Sequence, residues 1–134
     1  WAGWGQDLNE NSLVLLVEYR DFRAVLAGDA GLPAEAVLAG HVGGADLLKV
    51  GHHGSRGATG DAWLRELHPA AAIISVGEGN RYGHPAPEAL ARLAAAAVEV
   101  YRTDRDGTIE VRTDGRQMTI HSRRGVVTRT VSEP

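Results

Sequence analysis

Apolar residues in this chain fall into short runs separated by polar turns, and the spacing alternates between strand-like and helix-like. Residues 13–17 form a continuous apolar run after the polar stretch 9–12, which predicts a strand. Polar residues around Arg20-Asp21 interrupt it and residues 24–27 resume it, so an antiparallel hairpin is expected. Pro33 at a first helical position, Val37 and Leu38 as an apolar face, and Gly40 as a stop predict a short helix. Residues 46–50 read as the next strand. A second helix follows, with Thr59 as N-cap, Asp61 near its positive end, an apolar stripe of Trp63, Leu64 and Leu67, and a stop at Pro69. Residues 71–76 read as a buried strand and 77–85 as a long polar loop. Pro87 and Glu88 open a third helix, where Leu90, Leu93, Ala94 and Ala97 share a face whose Ala-rich end predicts close packing on a sheet. Short strands are expected over 99–102, 108–113 and 118–121, with turns at 104–107 and 114–115. Strand and helix alternate, so the pattern predicts an α/β fold with a mixed sheet and about three helices.

At 134 residues the chain has the length of one domain. No stretch approaches the ~20 apolar residues of a membrane span. The start, Trp1-Ala-Gly-Trp-Gly-Gln6, lacks the basic beginning and apolar run of a signal peptide and reads as a chain entered in mid-course. A net charge of -3 gives no overall attraction to nucleic acid. Arg116, Arg123, Arg124 and Arg129 read as a solvated edge. Cysteine is absent, so any metal must be held by His, carboxylate and water.

The chemistry concentrates in Asp46-Leu-Leu-Lys-Val-Gly-His-His-Gly-Ser55, where a strand runs into a turn holding two adjacent imidazoles. Neither a buried strand nor a surface turn requires His52 and His53. Asp29 follows one strand and Gly28, and His84 ends the loop after another. In a parallel sheet such junctions lie along one edge, so Asp29, His52, His53 and His84 are expected to converge. His nitrogens and carboxylate oxygens suit zinc, manganese or iron, and a carboxylate can bridge two ions. Asp29 also fits a turn or capping role, and His41, His68 and His121 read as structural histidines.

Asn11-Ser-Leu-Val-Leu15, Leu26-Ala-Gly-Asp29, the 46–55 stretch, Asn80-Arg-Tyr-Gly-His-Pro85 and Arg102-Thr-Asp-Arg-Asp-Gly-Thr-Ile109 occur in an order and spacing that resemble the metallo-β-lactamase-like domain of the ComEC family of bacterial competence proteins. The resemblance covers about residues 9–121. It implies an αββα sandwich with a metal site, usually of two zinc or manganese ions, at one edge of its sheets. It also implies that Asp29 is the bridging carboxylate and His53 the late histidine ligand. His52 is then a neighbour of that ligand or a transition-state donor, and the two histidines are interchangeable at this level. His84, Lys49, Ser55 and Asn80 match family-typical positions around the site, suited to binding or polarising a phosphate.

The family's His-x-His-x-Asp-His or His-x-Asp-x-Asp-His cluster has no counterpart among the six histidines. The chain is therefore expected to correspond to the C-terminal half of such a domain over 1–124, with 125–134 an edge strand or tail. It is also expected to leave one sheet face uncovered and, without the N-terminal half, to bind metal poorly or not at all and to be inactive alone. The implied function is part of a metal-dependent phosphodiesterase or nuclease acting on single- or double-stranded DNA during natural competence. The implied location is outside the cytoplasmic membrane, in a membrane-anchored parent protein. The alternatives are a free-standing metallohydrolase acting on a small phosphoester or lactone, and a catalytically silent module that binds DNA or a partner.

Overall fold

The computed structural model of the chain describes residues 9–131; residues 1–8, which include the Trp1–Gln6 start, and 132–134, the end of the 125–134 tail, lie outside that range. The apolar run forms β1 (Leu15–Tyr19), which turns at Arg20-Asp21 into β2 (Phe22–Leu26) as an antiparallel pair with Leu15 opposite Leu26. Strand and helix then alternate through α1 (Leu32–Leu38), β3 (Leu47–Lys49), α2 (Asp61–Leu67), β4 (Ala71–Ile74), α3 (Pro87–Ala95) and β5 (Glu99–Arg102). Each helix returns the chain to the same end of the sheet, so β2, β3, β4 and β5 are parallel neighbours in the order β1-β2-β3-β4-β5. A short helical turn, α4 (Thr103–Asp106), leads to a separate antiparallel sheet of β6 (Glu110–Thr113), β7 (Gln117–Ser122) and β8 (Gly125–Thr130).

The strand period of two sorts the core into two layers. Val25, Leu48, Ala72 and Ile74 point to one face, against Trp63, Leu64 and Leu67 of α2 and Leu93 of α3. Phe22, Ala24, Leu47, Ala71 and Tyr101 point to the other, against Met118, Ile120 and Val131 from the smaller sheet and the residue after it. The fold is α/β, three layers of helices, mixed sheet and antiparallel sheet, compatible with half of an αββα sandwich. Each fully buried Leu or Ile of these clusters contributes roughly 1.5–3 kcal/mol.

The central strands of the larger sheet are covered on both faces, whereas the antiparallel sheet buries Met118 and Ile120 on one face and leaves its other face, with Thr119 and Thr128, uncovered among the described residues, as expected; further exposed apolar residues lie at the β1 edge, with Leu13 73% and Tyr19 47% exposed. Several expectations change. Thr59 is not the N-cap of α2. Its backbone is left-handed (φ 62°) and Gly60 holds the cap position. The carboxylate of Glu35, buried on α1, accepts the N–H groups of Thr59 and Gly60. A helix start is thus capped from another helix, which satisfies orphan donors without a local capping side chain. The Ala-rich end of α3 does not pack on the sheet: Ala89 and Leu93 are buried, whereas residues 94–97 are exposed. The Asp104–Gly107 turn contains the helical turn α4.

Glu66 accepts the N–H groups of Gly40, Val42 and Gly43, and Arg23 donates to the carbonyls of Val42 and Gly44, so the α1–β3 loop is held from two sides. Arg92 of α3 donates to the carbonyls of Arg56, Ala58 and Thr59 and holds the β3–α2 loop. Glu35→Ala removes the acceptors of the buried Thr59 N–H and the half-buried Gly60 N–H. It is expected to lower unfolding free energy by about 2–4 kcal/mol in urea denaturation, with an unchanged m-value.

Candidate metal and phosphate site

The site lies where β2, β3 and β4 end side by side. Leu26 pairs with Lys49 and Lys49 with Ile73, so the three strands finish level. Beyond those pairs the bonds continue, with Ala27 N–H donating to Lys49 O at 3.3 Å, Val50 N–H to Ile73 O at 2.9 Å and His52 N–H to Gly28 O at 3.0 Å. The segments carrying Asp29, the two histidines and the loop to His84 are thereby tied together.

The histidine turn is a 3-10 turn over Gly51–Gly54 in which His52 (φ 44°, ψ 44°) and His53 (φ 54°, ψ 23°) are both left-handed. That conformation costs an L-residue roughly 1–2 kcal/mol, and such strain persists where surroundings over-determine it and clusters at functional sites. Here the surroundings are close. A Cβ on Gly51 would lie 2.6 Å from Ala30 O, and one on Gly54 2.7 Å from Pro85 Cβ. Ala86 N–H donates to Gly54 O at 2.8 Å, so the His84 loop is seated on the histidine turn.

The turn aims the two imidazoles differently. His53 Nδ1 lies 2.7 Å from Ser75 O, and a carbonyl only accepts, so Nδ1 carries the proton and the neutral ring keeps its lone pair on Nε2. Nε2 faces Asp29 Oδ1 at 3.6 Å, too long for a direct hydrogen bond. His52 instead meets His84 edge-on, with centroids 5.7 Å apart. The geometry therefore separates two histidines that are equivalent in the sequence: His53 pairs with Asp29, and His52 with His84.

The remaining predicted residues surround this pair. Lys49 is half-buried and donates to Val50 O at 2.9 Å; burial pushes its pKa down, and the nearby Asp29 carboxylate opposes that shift. Asn80 frames the His84 peptide, accepting its N–H at 3.0 Å and donating to its carbonyl at 2.5 Å. His84 has its pKa lowered by burial and then by the charges His52 and His53 would carry, and its Nδ1 is buried without a partner. Ser55 is buried, accepts Gly57 N–H at 3.2 Å and lines a cavity that His84 also lines. His41, His68 and His121 lie apart from this cluster, on α1's end, α2's C-cap and β7.

Three residues without an assigned role support the site. Ser12 Oγ accepts the Asp29 N–H at 3.1 Å. Ser75 supplies the carbonyl that orients His53. Thr103 Oγ1 bonds both the N–H and the carbonyl of Val76 at 2.7 Å, pinning the end of β4 beside Ser75. Ser12 and Thr103 fall inside the motifs at 11–15 and 102–109, whereas a backbone carbonyl such as that of Ser75 carries no side-chain signal.

One imidazole nitrogen and one carboxylate oxygen are a donor set suited to zinc or manganese. Their 3.6 Å separation is at the upper end of the ~3.3–3.6 Å between two ligands on a tetrahedral ion with ~2.0–2.2 Å bonds. A carbonyl behind the ligating ring is the usual orienting partner of a metal-bound histidine. Among the described residues no group of three or more His, Asp or Glu side chains is placed to hold a metal ion; Asp29 and His53 offer two donor atoms.

No family model matches the chain. It is 42% identical over 106 residues to ComE operon protein 3 of Bacillus subtilis, 35% over 103 residues to Recombination protein 2 of Haemophilus influenzae, and 32% over 107 residues to Competence protein ComA of Neisseria gonorrhoeae. Each match takes in 77–78% of this chain but only 13–16% of the relative. Among the described residues no helix is long and apolar enough to cross a membrane. The chain is thus similar to one segment, about a seventh of the length, shared by three bacterial proteins, one of which is named for competence.

Proposed function

We propose that the chain is part of a metal-dependent phosphodiesterase domain that cuts DNA during natural competence. The observation that carries this reading is the Asp29–His53 pair, two ligand atoms 3.6 Å apart with His53 locked on the Ser75 carbonyl. The names of the relatives, Competence protein ComA and Recombination protein 2, support the DNA part. The further ligands come from an N-terminal half of the domain in a longer, membrane-anchored parent protein, outside the cytoplasmic membrane. A bound divalent ion there supplies a water of near-neutral pKa and neutralises charge on phosphoryl oxygens.

The chain's own residues do the rest. Asp29 and His53 would hold the cation; the Ser75 carbonyl fixes the His53 ring and Ser12 holds the Asp29 backbone. Lys49, beside Asp29, offers a positive charge to a phosphate oxygen. His84, whose pKa is lowered by burial, and His52 at its ring edge are the groups beside the site able to take a proton from the attacking water.

Asp29→Ala and His53→Ala in the complete parent domain are expected to lower manganese- or zinc-dependent DNA cleavage by ~100-fold or more, with circular dichroism unchanged. Full activity in either variant removes the assignment. Cleavage of small phosphodiesters but not DNA supports the small-substrate hydrolase, and DNA binding without turnover in any metal supports the silent module.

The pH dependence has a definite sign. The folded pKa of His84 lies below its unfolded value near 6.5, so the unfolded chain binds more protons between the two. Stability therefore falls as pH drops through that window. NMR titration is expected to show His84 protonating below the ordinary histidine range, and His84→Asn to flatten the acid side of the stability profile.

A further inference from the structure

Tyr82, in the loop between β4 and α3, is 71% exposed, so its ring adds little to folding. The ring is nevertheless oriented. It lies nearly parallel to the His84 imidazole, at 22° with centroids 6.3 Å apart, and the Arg81 guanidinium sits 5.4 Å from its centroid. Asn80 fixes the loop below it by bracketing the His84 peptide. Beside the ring is a cavity of about 430 Å³ lined by Ser55, Arg56, Tyr82, His84 and Glu88 among others, within the roughly 300–1,000 Å³ of small-molecule sites. Its lining includes an aromatic side chain, one guanidinium and one carboxylate. Glu88 opposes a phosphate inside the cavity and suits a flat neutral group bearing N–H donors. Arg56 and Arg81, both exposed, suit the phosphates on either side of such a group.

We propose that the 77–86 loop is a base-stacking platform that selects single-stranded DNA. One unpaired nucleobase lies on the Tyr82 ring at the mouth of the cavity, and Arg56 and Arg81 contact its flanking phosphates. A base in a duplex has both faces occupied by its neighbours, so the platform has no purchase on double-stranded DNA. The proposal rests on the nuclease reading above. A series of ring contacts, Tyr82 to His84, His84 to His52 and His52 to His53, each within 6.5 Å, connects the platform to the Asp29–His53 pair.

The test is binding of the full chain, by fluorescence anisotropy with EDTA present, to a short labelled single-stranded DNA, to the same strand made abasic, and to its duplex. The intact single strand is expected to bind most tightly. Tyr82→Ala is expected to weaken that binding by about 5- to 150-fold and Tyr82→Trp to preserve it, with the abasic strand insensitive to both. Equal affinity for intact and abasic strands overturns the platform, as do tighter duplex binding, no single-strand binding at all, or an equal Tyr82→Ala loss on the abasic strand. A Tyr82-dependent, base-dependent preference in a protein whose complete domain cleaves nothing refutes the nuclease reading alone. Cleavage that survives without base dependence refutes the platform alone.

Discussion

The arrangement depends on three parallel strands, β2, β3 and β4, ending at the same level. Parallel strands carry their hydrogen bonds at even spacing, so register fixes where each carboxyl end stops. With Leu26, Lys49 and Ile73 abreast, the next few residues of each chain segment must share one small volume. Asp29, the His52-His53 turn, the Ser75 carbonyl and the loop to His84 occupy it. A slip of one residue in β3 would turn every side chain to the opposite face, sending Leu48 away from the helices and moving the histidine turn off its seat on Pro85.

Stability and chemistry meet at that turn. Two non-glycine residues in the left-handed region are unfavourable by themselves. They are held because the backbone around them is bonded on three sides, to Gly28, Ser55 and Ala86, and because Gly51 and Gly54 leave no room for side chains. The strain aims His53 toward Asp29 and His52 toward His84. The turn therefore does two tasks, fixing the Asp29–His53 pair and keeping His52 apart from it, against His84.

The same economy runs through the loops. Charged side chains on helices reach backbone groups far along the chain: Glu35 caps α2, Arg92 gathers the carbonyls of the β3–α2 loop, and Glu66 gathers the N–H groups of the α1–β3 loop. Charge-assisted bonds of this kind are stronger than neutral ones. They hold the side of the sheet that carries the site, while the apolar edge at β1 remains open.

Much of this was legible in the sequence. Apolar runs and turn residues marked the hairpin and the alternating strands and helices, because burial and backbone preference act locally. The His-His-Gly-Ser and Tyr-Gly-His-Pro motifs marked the candidate residues that the fold brings to one strand end, because neither strand nor turn requires imidazoles. Only the tertiary structure decided which histidine faces Asp29, since adjacent identical side chains differ solely in backbone angles and in what stands opposite. It also decided that Glu35 rather than Thr59 caps α2, that Ser75 orients His53, and that the Ala-rich end of α3 stays in solvent. Each of these is a contact between residues distant in the chain, and no local propensity encodes which distant partner a side chain will meet.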